Sequence, residues 1–367
     1  MGNAAGVASN AATAINAPFA AHPALASGTC FIAADVGGTN ARISVVRADA
    51  DGGLQVLSWR KFPCNDYPSL AAILAEFVQD HPAREGIDCM VIASAGVLLD
   101  DEVINSNLPW RISLAKLRDE LHLRELHVVN DFAAAAHGVG RLANTDSRDL
   151  TPGVADSGCG PALVIGPGTG LGAAICIPRG KDVVVLPTEA GMAAFAPGNA
   201  REESLLAWQR QQQPQQHVCT EQFLSGPGLM NIYQALCAQQ GKTAQLQTPA
   251  EITQAARAHD AVALDAVLAF CELLGSFIGD LAMIASANKV FIAGGIVPQI
   301  LDFITRSEFR ARLVNKGAMR AVLERVSVRL VENEKLGVLG AASWYLQHLR
   351  EQDHREKAEQ RRAAVTT

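Results

Sequence analysis

Short apolar runs that end in glycine turns recur along this chain, and they predict its main strands. The first run, residues 31–33, leads into an acidic residue and a Gly-Gly turn, and residues 43–46 form the next apolar run. With a third run at residues 55–59, the stretch 30–62 is predicted to be a three-strand antiparallel unit. The segment around its first turn comprises Ala34, Asp35, Val36, Gly37, Gly38, Thr39, Asn40, Ala41 and Arg42.

The same pattern returns in the middle of the chain. Residues 162–165 are apolar, a glycine turn with a threonine follows, and residues 173–177 form a second apolar run. Two copies of one hairpin predict a duplicated α/β fold in which two domains face each other across a nucleotide. A third turn, Gly294-Gly295, follows the apolar run 290–293. The turn of the second copy comprises Gly166, Pro167, Gly168, Thr169, Gly170, Leu171 and Gly172.

Two further apolar runs, residues 89–93 and 126–129, are predicted to be buried strands. The second ends on Asn130-Asp131, before a helical run at residues 132–136. This arrangement puts two polar side chains at the carboxyl end of a strand, where open α/β sheets build their sites. Helices are predicted over residues 67–78, from a Ser113 cap through residue 121, over 225–237, almost continuously over 250–287, and from residue 336 onward.

Composition and charge exclude several classes of protein. The 367 residues suffice for two domains with substantial cores. A net charge of −6 argues against a broad nucleic-acid or anionic-membrane surface. None of the eight cysteines forms a C-x-x-C pair, which favours buried free thiols in a reducing cytosol. No apolar run is expected to be long enough to span a membrane.

Four polar segments are expected to lie outside the two cores. Residues 1–28 contain no Lys or Arg, so they fail the test for a secretory signal and are predicted to be a flexible tail. Residues 142–160 are predicted to cross between the domains. The Gln-rich residues 209–216 are predicted to be a loop, and the charged residues beyond 351 a solvated tail.

The glycine turns have two interpretations when taken alone. Glycine tolerates positive φ and lets a phosphate approach several backbone N–H groups, and Asp35 would then hold a metal ion or a metal-bound water beside it. A Gly-Gly pair between two strands is also a common tight hairpin turn. Gly294-Gly295 has a similar alternative as the entry to a helix.

The acidic candidates also have structural alternatives. Asp131 follows a buried strand, so it is either a helix cap or a proton acceptor. Glu189 lies after Leu186-Pro187, where a solvated surface charge is the ordinary expectation. Glu221 is at a predicted helix start, a position that often has Glu for electrostatic reasons. None of the nine histidines is assigned to catalysis or to a metal.

The motifs in their order resemble the bacterial glucokinases, which belong to the hexokinase/actin/heat-shock-chaperone ATPase superfamily. The resemblance covers about residues 30–345, and the joint spacing is far more specific than any single motif. The motifs that establish it are residues 35–42, Asn130-Asp131-Phe132, residues 166–172, Leu224-Ser225-Gly226-Pro227-Gly228 and residues 293–298.

The resemblance implies an α/β, two-domain, ribonuclease-H-like (actin-like ATPase) sugar kinase fold with a central cleft. It implies a cytoplasmic enzyme that uses ATP and Mg²⁺ to phosphorylate glucose or a related hexose, with no nucleic-acid or membrane partner and with a homodimer as the family expectation. The domain limits it implies are a tail at 1–28, a small domain at 29–142 completed by the helix 336–352, a large domain at 143–335, and a charged tail at 353–367.

The resemblance also assigns roles to individual residues. Asp131 matches the family's catalytic base, and Asn130, Asp131, Glu189 and Glu221 match sugar ligands. Asp35 is assigned to Mg²⁺, directly or through water. The residues assigned to ATP are Ala34, Asp35, Val36, Gly37, Gly38 and Thr39, then Gly166, Gly168, Thr169 and Gly170, and, for the adenosine, Gly294 and Gly295.

One departure from the family pattern bears on the sugar. Family members usually have Glu-Gly-Gly-His in the sugar loop, whereas this chain has Glu189-Ala190-Gly191-Met192. A thioether is only a weak hydrogen-bond acceptor, so weaker glucose binding or an altered sugar preference is expected. The alternative function is a hexose-binding regulator without turnover. The DNA-binding segment and Cys-rich zinc loop of the related repressors are not found in the sequence.

Overall fold

The computed structural model describes residues 29–49, 52–79, 86–105, 108–153, 160–180 and 182–366. The predicted tail at residues 1–28 lies outside this part of the chain, as does Cys159. The strands are β1 Cys30–Val36, β2 Asn40–Ala48, β3 Leu54–Pro63, β4 Cys89–Ser94, β5 Val97–Leu99, β6 Glu102–Ile104, β7 Ile112–Ser113, β8 Glu125–Asn130, β9 Ser147–Thr151, β10 Ala162–Pro167, β11 Leu171–Arg179, β12 Asp182–Thr188, β13 Lys289–Ile292 and β14 Ser327–Val331.

Helices cover both sheets. They are α1 Leu70–Gln79, α2 Leu114–Leu121, α3 Asp131–Gly138, α4 Ala200–Gln212, α5 Gly226–Gln239, α6 Pro249–Arg257, α7 Ala261–Ala285, α8 Ile296–Gln299, α9 Leu301–Ile304, α10 Phe309–Val314, α11 Arg320–Leu323 and α12 Leu336–Thr366. The predicted caps of α2 and α5 are confirmed, since the Ser113 side chain accepts from Lys116 N and the Ser225 side chain accepts from Gly228 N.

The two large sheets share one strand order, which confirms the predicted duplication. The first sheet has the order β3-β2-β1-β4-β8, with β1–β3 antiparallel and with β4 and β8 parallel to β1. The second has the order β12-β11-β10-β13-β14-β9, in which the first five strands repeat these directions. A small sheet of order β5-β6-β7 follows β4.

Helix α3 lies between the two sheets and is in contact with both. Ala133 and Ala134 belong to a core shared with the first sheet and α12, whereas Ala135 and Ala136 belong to one shared with β10 and β11. Short side chains on both sides of the helix allow this close double contact. The outer faces are covered by separate cores, with α1 and α2 on the first sheet and α5, α6 and α7 on the second.

Three predictions about the polar segments need correction. Within residues 142–160, Ser147–Thr151 forms the edge strand β9, which pairs with β14 and whose charged residues Arg148 and Asp149 are exposed. Within residues 209–216, α4 continues to Gln212. The charged residues beyond 351 are helical, because α12 continues through strong helix formers to Thr366 with no Gly or Pro to stop it.

Two predictions about the long apolar segment 250–287 also need correction. It forms two helices, since α6 ends at Arg257 and Asp260 caps the start of α7 by accepting from Ala263 N. The expectation that no segment could span a membrane is wrong by length and composition, because α7 meets both requirements. The most apolar stretch of α7 is 61% buried, and the helix packs in the core that covers the second sheet.

The crossing of α3 and α12 depends on glycine. A Cβ at Gly340 would lie 1.9 Å from the carbonyl oxygen of Ala134, which is backbone and cannot turn aside. We predict that Gly340→Ala lowers the free energy of unfolding by about 1–3 kcal/mol or more. Gly140→Ala is the matched control, because a Cβ there meets nothing within 4 Å. Urea denaturation followed by circular dichroism measures both, and equal effects would contradict the packing described.

Candidate active site

The carboxyl ends of three parallel strands meet at one edge of the first sheet. Val36 of β1 lies beside Ser94 of β4, and Ser94 lies beside Asn130 of β8. The Ser94 hydroxyl donates to the Val36 carbonyl oxygen at 3.1 Å, which ties two of these strand ends together. This register brings the first glycine turn and the Asn130-Asp131 pair to the same edge, the position at which open α/β sheets bind ligands.

The first glycine turn has free space beside its backbone and has no residue in the left-handed conformation. Gly37 N donates to Asn40 O at 3.0 Å, and Cys64 N donates to Thr39 O at 2.9 Å, so the turn is fixed from inside. Neither Gly37 nor Gly38 has positive φ, which corrects the expectation that the turn needs glycine for that reason. A Cβ at Gly37 would meet only one atom, at 3.7 Å. The turn therefore has room for a ligand close to its backbone.

Asp35 is held at the end of β1 by its cross-strand neighbour. Arg42 Nη1 donates to Asp35 Oδ2 at 3.2 Å, and the two residues are paired in the register of β1 and β2. Burial raises the pKa of Asp35, and the guanidinium of Arg42 opposes this rise. Helix α12 starts against the same carboxyl group, since a Cβ at Gly337 would lie 2.4 Å from Asp35 Cγ. Arg42 and Gly337 were given no role by the sequence analysis.

Asn130, rather than Asp131, caps helix α3. The Asn130 side chain accepts from Ala133 N at 2.9 Å, and the helix begins at Asp131. Asp131 Oδ1 accepts from the N–H of Phe132 at 2.9 Å, which orients the carboxylate at the helix start. The cap alternative for Asp131 is therefore wrong, because Asn130 has that role.

Two of the predicted acidic residues, Asp35 and Glu189, lie close enough to Asp131 to affect its pKa. Burial first, and then the negative charge of Asp35, raise the pKa of Asp131 to about 6; Glu189 adds a smaller rise. Backbone hydrogen bonds from the helix start act in the opposite direction. A carboxyl group with a pKa near neutrality exchanges protons readily at physiological pH, as a general base must.

The second glycine turn is held from two sides. Gly168 N donates to Gly170 O at 2.7 Å within the turn, and Gly226 N, at the start of α5, donates to Gly168 O at 2.8 Å. Leu171 N donates to Glu221 Oε2 at 2.7 Å, so this predicted sugar ligand also supports the turn. That contact was not foreseen, because Glu221 is 50 residues away in sequence.

The third glycine turn touches the second. Ala293 N donates to Ile165 O at 2.8 Å, and Gly294, with φ +92°, would bring a Cβ to 3.0 Å from Pro167 O. Gly295 opens α8, and a Cβ there would meet nothing within 4 Å. Gly294-Gly295 therefore leads into a helix, as one interpretation predicts, and its backbone is also open at Gly295.

Glu189 and Met192 lie at the two ends of a short loop. Ala190–Met192 forms a 3₁₀ turn, and Gly191 packs against the Leu171 carbonyl, beside the second turn. The Met192 side chain is 45% exposed, and the Met192 carbonyl oxygen accepts a hydrogen bond at 3.0 Å from His217 Nε2. The loop therefore presents a thioether to solvent where an imidazole was expected from the family pattern.

The chain matches known proteins over most of its length. The glucokinase family matches residues 32–348. A glucokinase-like protein of Xylella fastidiosa is 44% identical over 321 residues, which is 86% of this chain and 94% of that protein. A glucokinase of Chromohalobacter salexigens is 37% identical over 308 residues, covering 84% and 94%.

Solved structures agree with these matches. The crystal structure of a glucokinase from an Antarctic psychrotroph has a TM-score of 0.74 at 31% identity and covers 86% of this chain and 98% of its own. A ROK family glucokinase from Streptomyces griseus, solved with glucose and AMPPNP, shares the fold with a TM-score of 0.55 at 24% identity, covering the same shares. The predicted α/β actin-like ATPase fold is thereby confirmed, and the chain belongs to the glucokinase family.

Proposed function

We propose that this protein transfers the γ-phosphoryl group of ATP to a hydroxyl of glucose, giving glucose 6-phosphate. The observation on which this rests is the Asp131 carboxyl group, whose pKa is about 6 beside Asp35 and Glu189 and next to open glycine turns. Phosphoryl transfer to a sugar needs alignment, charge neutralisation and a carboxylate that accepts the hydroxyl proton. We assign the reaction to the cytoplasm, where ATP is abundant and the free thiols of the described cysteines stay reduced.

Asp131 is the proposed proton acceptor. The N–H of Phe132 holds one carboxylate oxygen, so the other is left to accept the proton of the sugar hydroxyl. Removal of that proton increases the electron density on the attacking oxygen as its bond to phosphorus forms. A positioned carboxylate base contributes about 10²- to 10⁴-fold to the rate.

Asp35 is the proposed magnesium ligand, directly or through water. Its donor chemistry fits, because carboxylate oxygens are the ligands that Mg²⁺ prefers and only one Asp35 oxygen is paired with Arg42. The negative charge of Asp35 raises the pKa of Asp131, and a divalent cation would neutralise this charge. Magnesium, when bound, supplies charge neutralisation for the phosphate oxygens; the N–H groups of the first turn hold the same oxygens in place.

The proposed sugar ligands divide between donors and acceptors. The side-chain oxygen of Asn130 is bound to Ala133 N, which leaves its amide N–H groups to donate to a sugar oxygen. Glu221 accepts from Leu171 N with one oxygen and is proposed to accept from a sugar hydroxyl with the other. Glu189 is the second proposed carboxylate acceptor. The turn Gly294-Gly295 is the proposed adenosine contact, and its backbone is open at Gly295, where a Cβ would meet nothing within 4 Å.

A second function, hexose binding without turnover, is supported by one observation. Met192 is exposed in the loop that also holds Glu189, so the loop offers a thioether in place of a strong hydrogen-bonding group. Coupled assays of ADP release with glucose, mannose, fructose and N-acetylated hexosamines distinguish a sugar kinase from such a binder.

We predict that Asp131→Ala lowers kcat for glucose phosphorylation by about 10²- to 10⁴-fold, because it removes the proposed proton acceptor. A coupled assay of ADP release measures this, with circular dichroism and the melting temperature as checks on folding. Asp149→Asn, on the exposed edge strand β9, is the control and leaves kcat unchanged. Unchanged turnover in Asp131→Ala would refute the assignment.

The same carboxyl group is expected to cost stability. Its pKa rises on folding from 3.8 to about 6, so the ionised form destabilises the fold above pH 6, by about 3 kcal/mol. Asp131→Asn keeps the hydrogen bond from Phe132 N and removes the charge. We predict a higher free energy of unfolding at pH 8, and a difference that vanishes as the pH falls to 4. Urea titrations at several pH values measure this, and a gain that is independent of pH would contradict it.

We predict that Met192→His lowers the Michaelis constant for glucose by about two- to tenfold, because an imidazole restores one hydrogen bond to the sugar. Met319→His is the matched control, since Met319 is similarly exposed, at 40%, and lies in a 3₁₀ turn near α11. Steady-state kinetics at saturating ATP measure both variants. The hypothesis fails when Met192→His gives no improvement over the parent protein.

A further inference from the structure

The ring of Phe132 lies across the base of the second glycine turn. A Cβ built on Gly172 would meet three atoms of this ring at 2.0–2.7 Å and no other group as close. A Cβ on Gly166 would lie 2.6 Å from the Ala293 carbonyl oxygen and 2.8 Å from the far end of the same ring. Phe132 belongs to the first turn of α3, whereas both glycines belong to strands of the other sheet.

Gly166 and Gly172 face each other directly. They are partners in the antiparallel register of β10 and β11, and the turn between them is the proposed phosphate turn. Side chains of directly opposite residues lie on the same face of a sheet, so the absence of both leaves one shallow site. An aromatic ring that covers such glycines restores the packing they lack. The ring of Phe132 fills this site.

Phe132 has a second contact through its main chain. Its N–H donates to Asp131 Oδ1 at 2.9 Å, which orients the proposed base. One residue therefore contacts the base with its backbone and the phosphate turn with its side chain. Asp131 follows the last strand of the first sheet, whereas the glycine turn belongs to the second sheet. Phe132 contacts both, through its N–H and through its ring.

We propose that Phe132 is a positioning residue that fixes the distance between the Asp131 carboxylate and the second phosphate turn. This rests on the proposed function, in which the base and the turn act on the two reacting groups. A displacement of about 1 Å between reacting groups costs on the order of 10²-fold in rate. Because Phe132→Ala keeps the main-chain hydrogen bonds that orient Asp131 and Asn130, the cost is expected to fall more on turnover than on sugar binding.

The first experiment measures kinetics. Phe132→Ala is expected to lower kcat by about 10- to 100-fold, while the Michaelis constant for glucose changes by less than about threefold. Phe132→Leu, which retains most of the volume, restores kcat to within about fivefold of the parent. Phe77→Ala removes a buried ring of α1 instead, and it lowers thermal stability without lowering kcat at a temperature well below unfolding.

The second experiment is a double-mutant cycle on the ring and the glycine. Gly172→Ala is expected to lower both melting temperature and kcat in the parent protein, because the new methyl group meets the ring. In the Phe132→Ala background the same change is expected to be tolerated, because the methyl group then enters vacated space. Residues in contact give non-additive effects in such a cycle, whereas distant and independent sites give additive ones.

The outcomes separate this proposal from the function on which it rests. Additive effects in the cycle would overturn the contact. Non-additive melting temperatures together with an unchanged kcat in Phe132→Ala would overturn the positioning role. Loss of kcat in Phe132→Ala together with full activity in Asp131→Ala would leave Phe132 important for turnover but refute Asp131 as the base that it positions. Loss of kcat in both variants, with the expected cycle, supports the proposal.

Discussion

Buried negative charge is the constraint on which the arrangement of this site depends. Asp35 and Asp131 lie at the carboxyl ends of strands in one sheet, and the negative charges of Asp35 and Glu189 both favour the neutral form of Asp131 by raising its pKa. The fold tolerates them because Arg42 pairs with Asp35 and the N–H of Phe132 binds Asp131. Without these partners, two desolvated carboxylates would destabilise the sheet edge. The same arrangement leaves one oxygen of each carboxylate for chemistry.

The parts of the fold that the sequence predicts well are those set by local pattern. The β1–β2 and β10–β11 hairpins consist of an apolar run, a glycine turn and a second apolar run, and they recur with similar spacing. Helix starts at Ser113 and Ser225 follow from side-chain capping, which acts over three residues. The order of the motifs then identifies the family, and with it the fold.

The parts that could not be predicted depend on distant contacts or on weak patterns. β9 is a polar edge strand, and only its pairing with β14 makes it a strand. Residues 353–366 are highly charged, which predicts a solvated tail, but most of them are also good helix formers and they continue α12. The contact of Glu221 with Leu171 and that of Phe132 with Gly172 join residues whose separation in sequence conceals them.

The contact between Gly337 and Asp35 has a consequence for the order of folding. The start of α12 packs against the carboxyl group of Asp35, in the first strand. The helix covers one face of the first sheet with residues such as Val338, Ala341 and Tyr345. During synthesis this face has no cover until nearly the whole chain has left the ribosome. The first sheet is thus translated first and completed last, and its apolar face stays exposed to water in the interval.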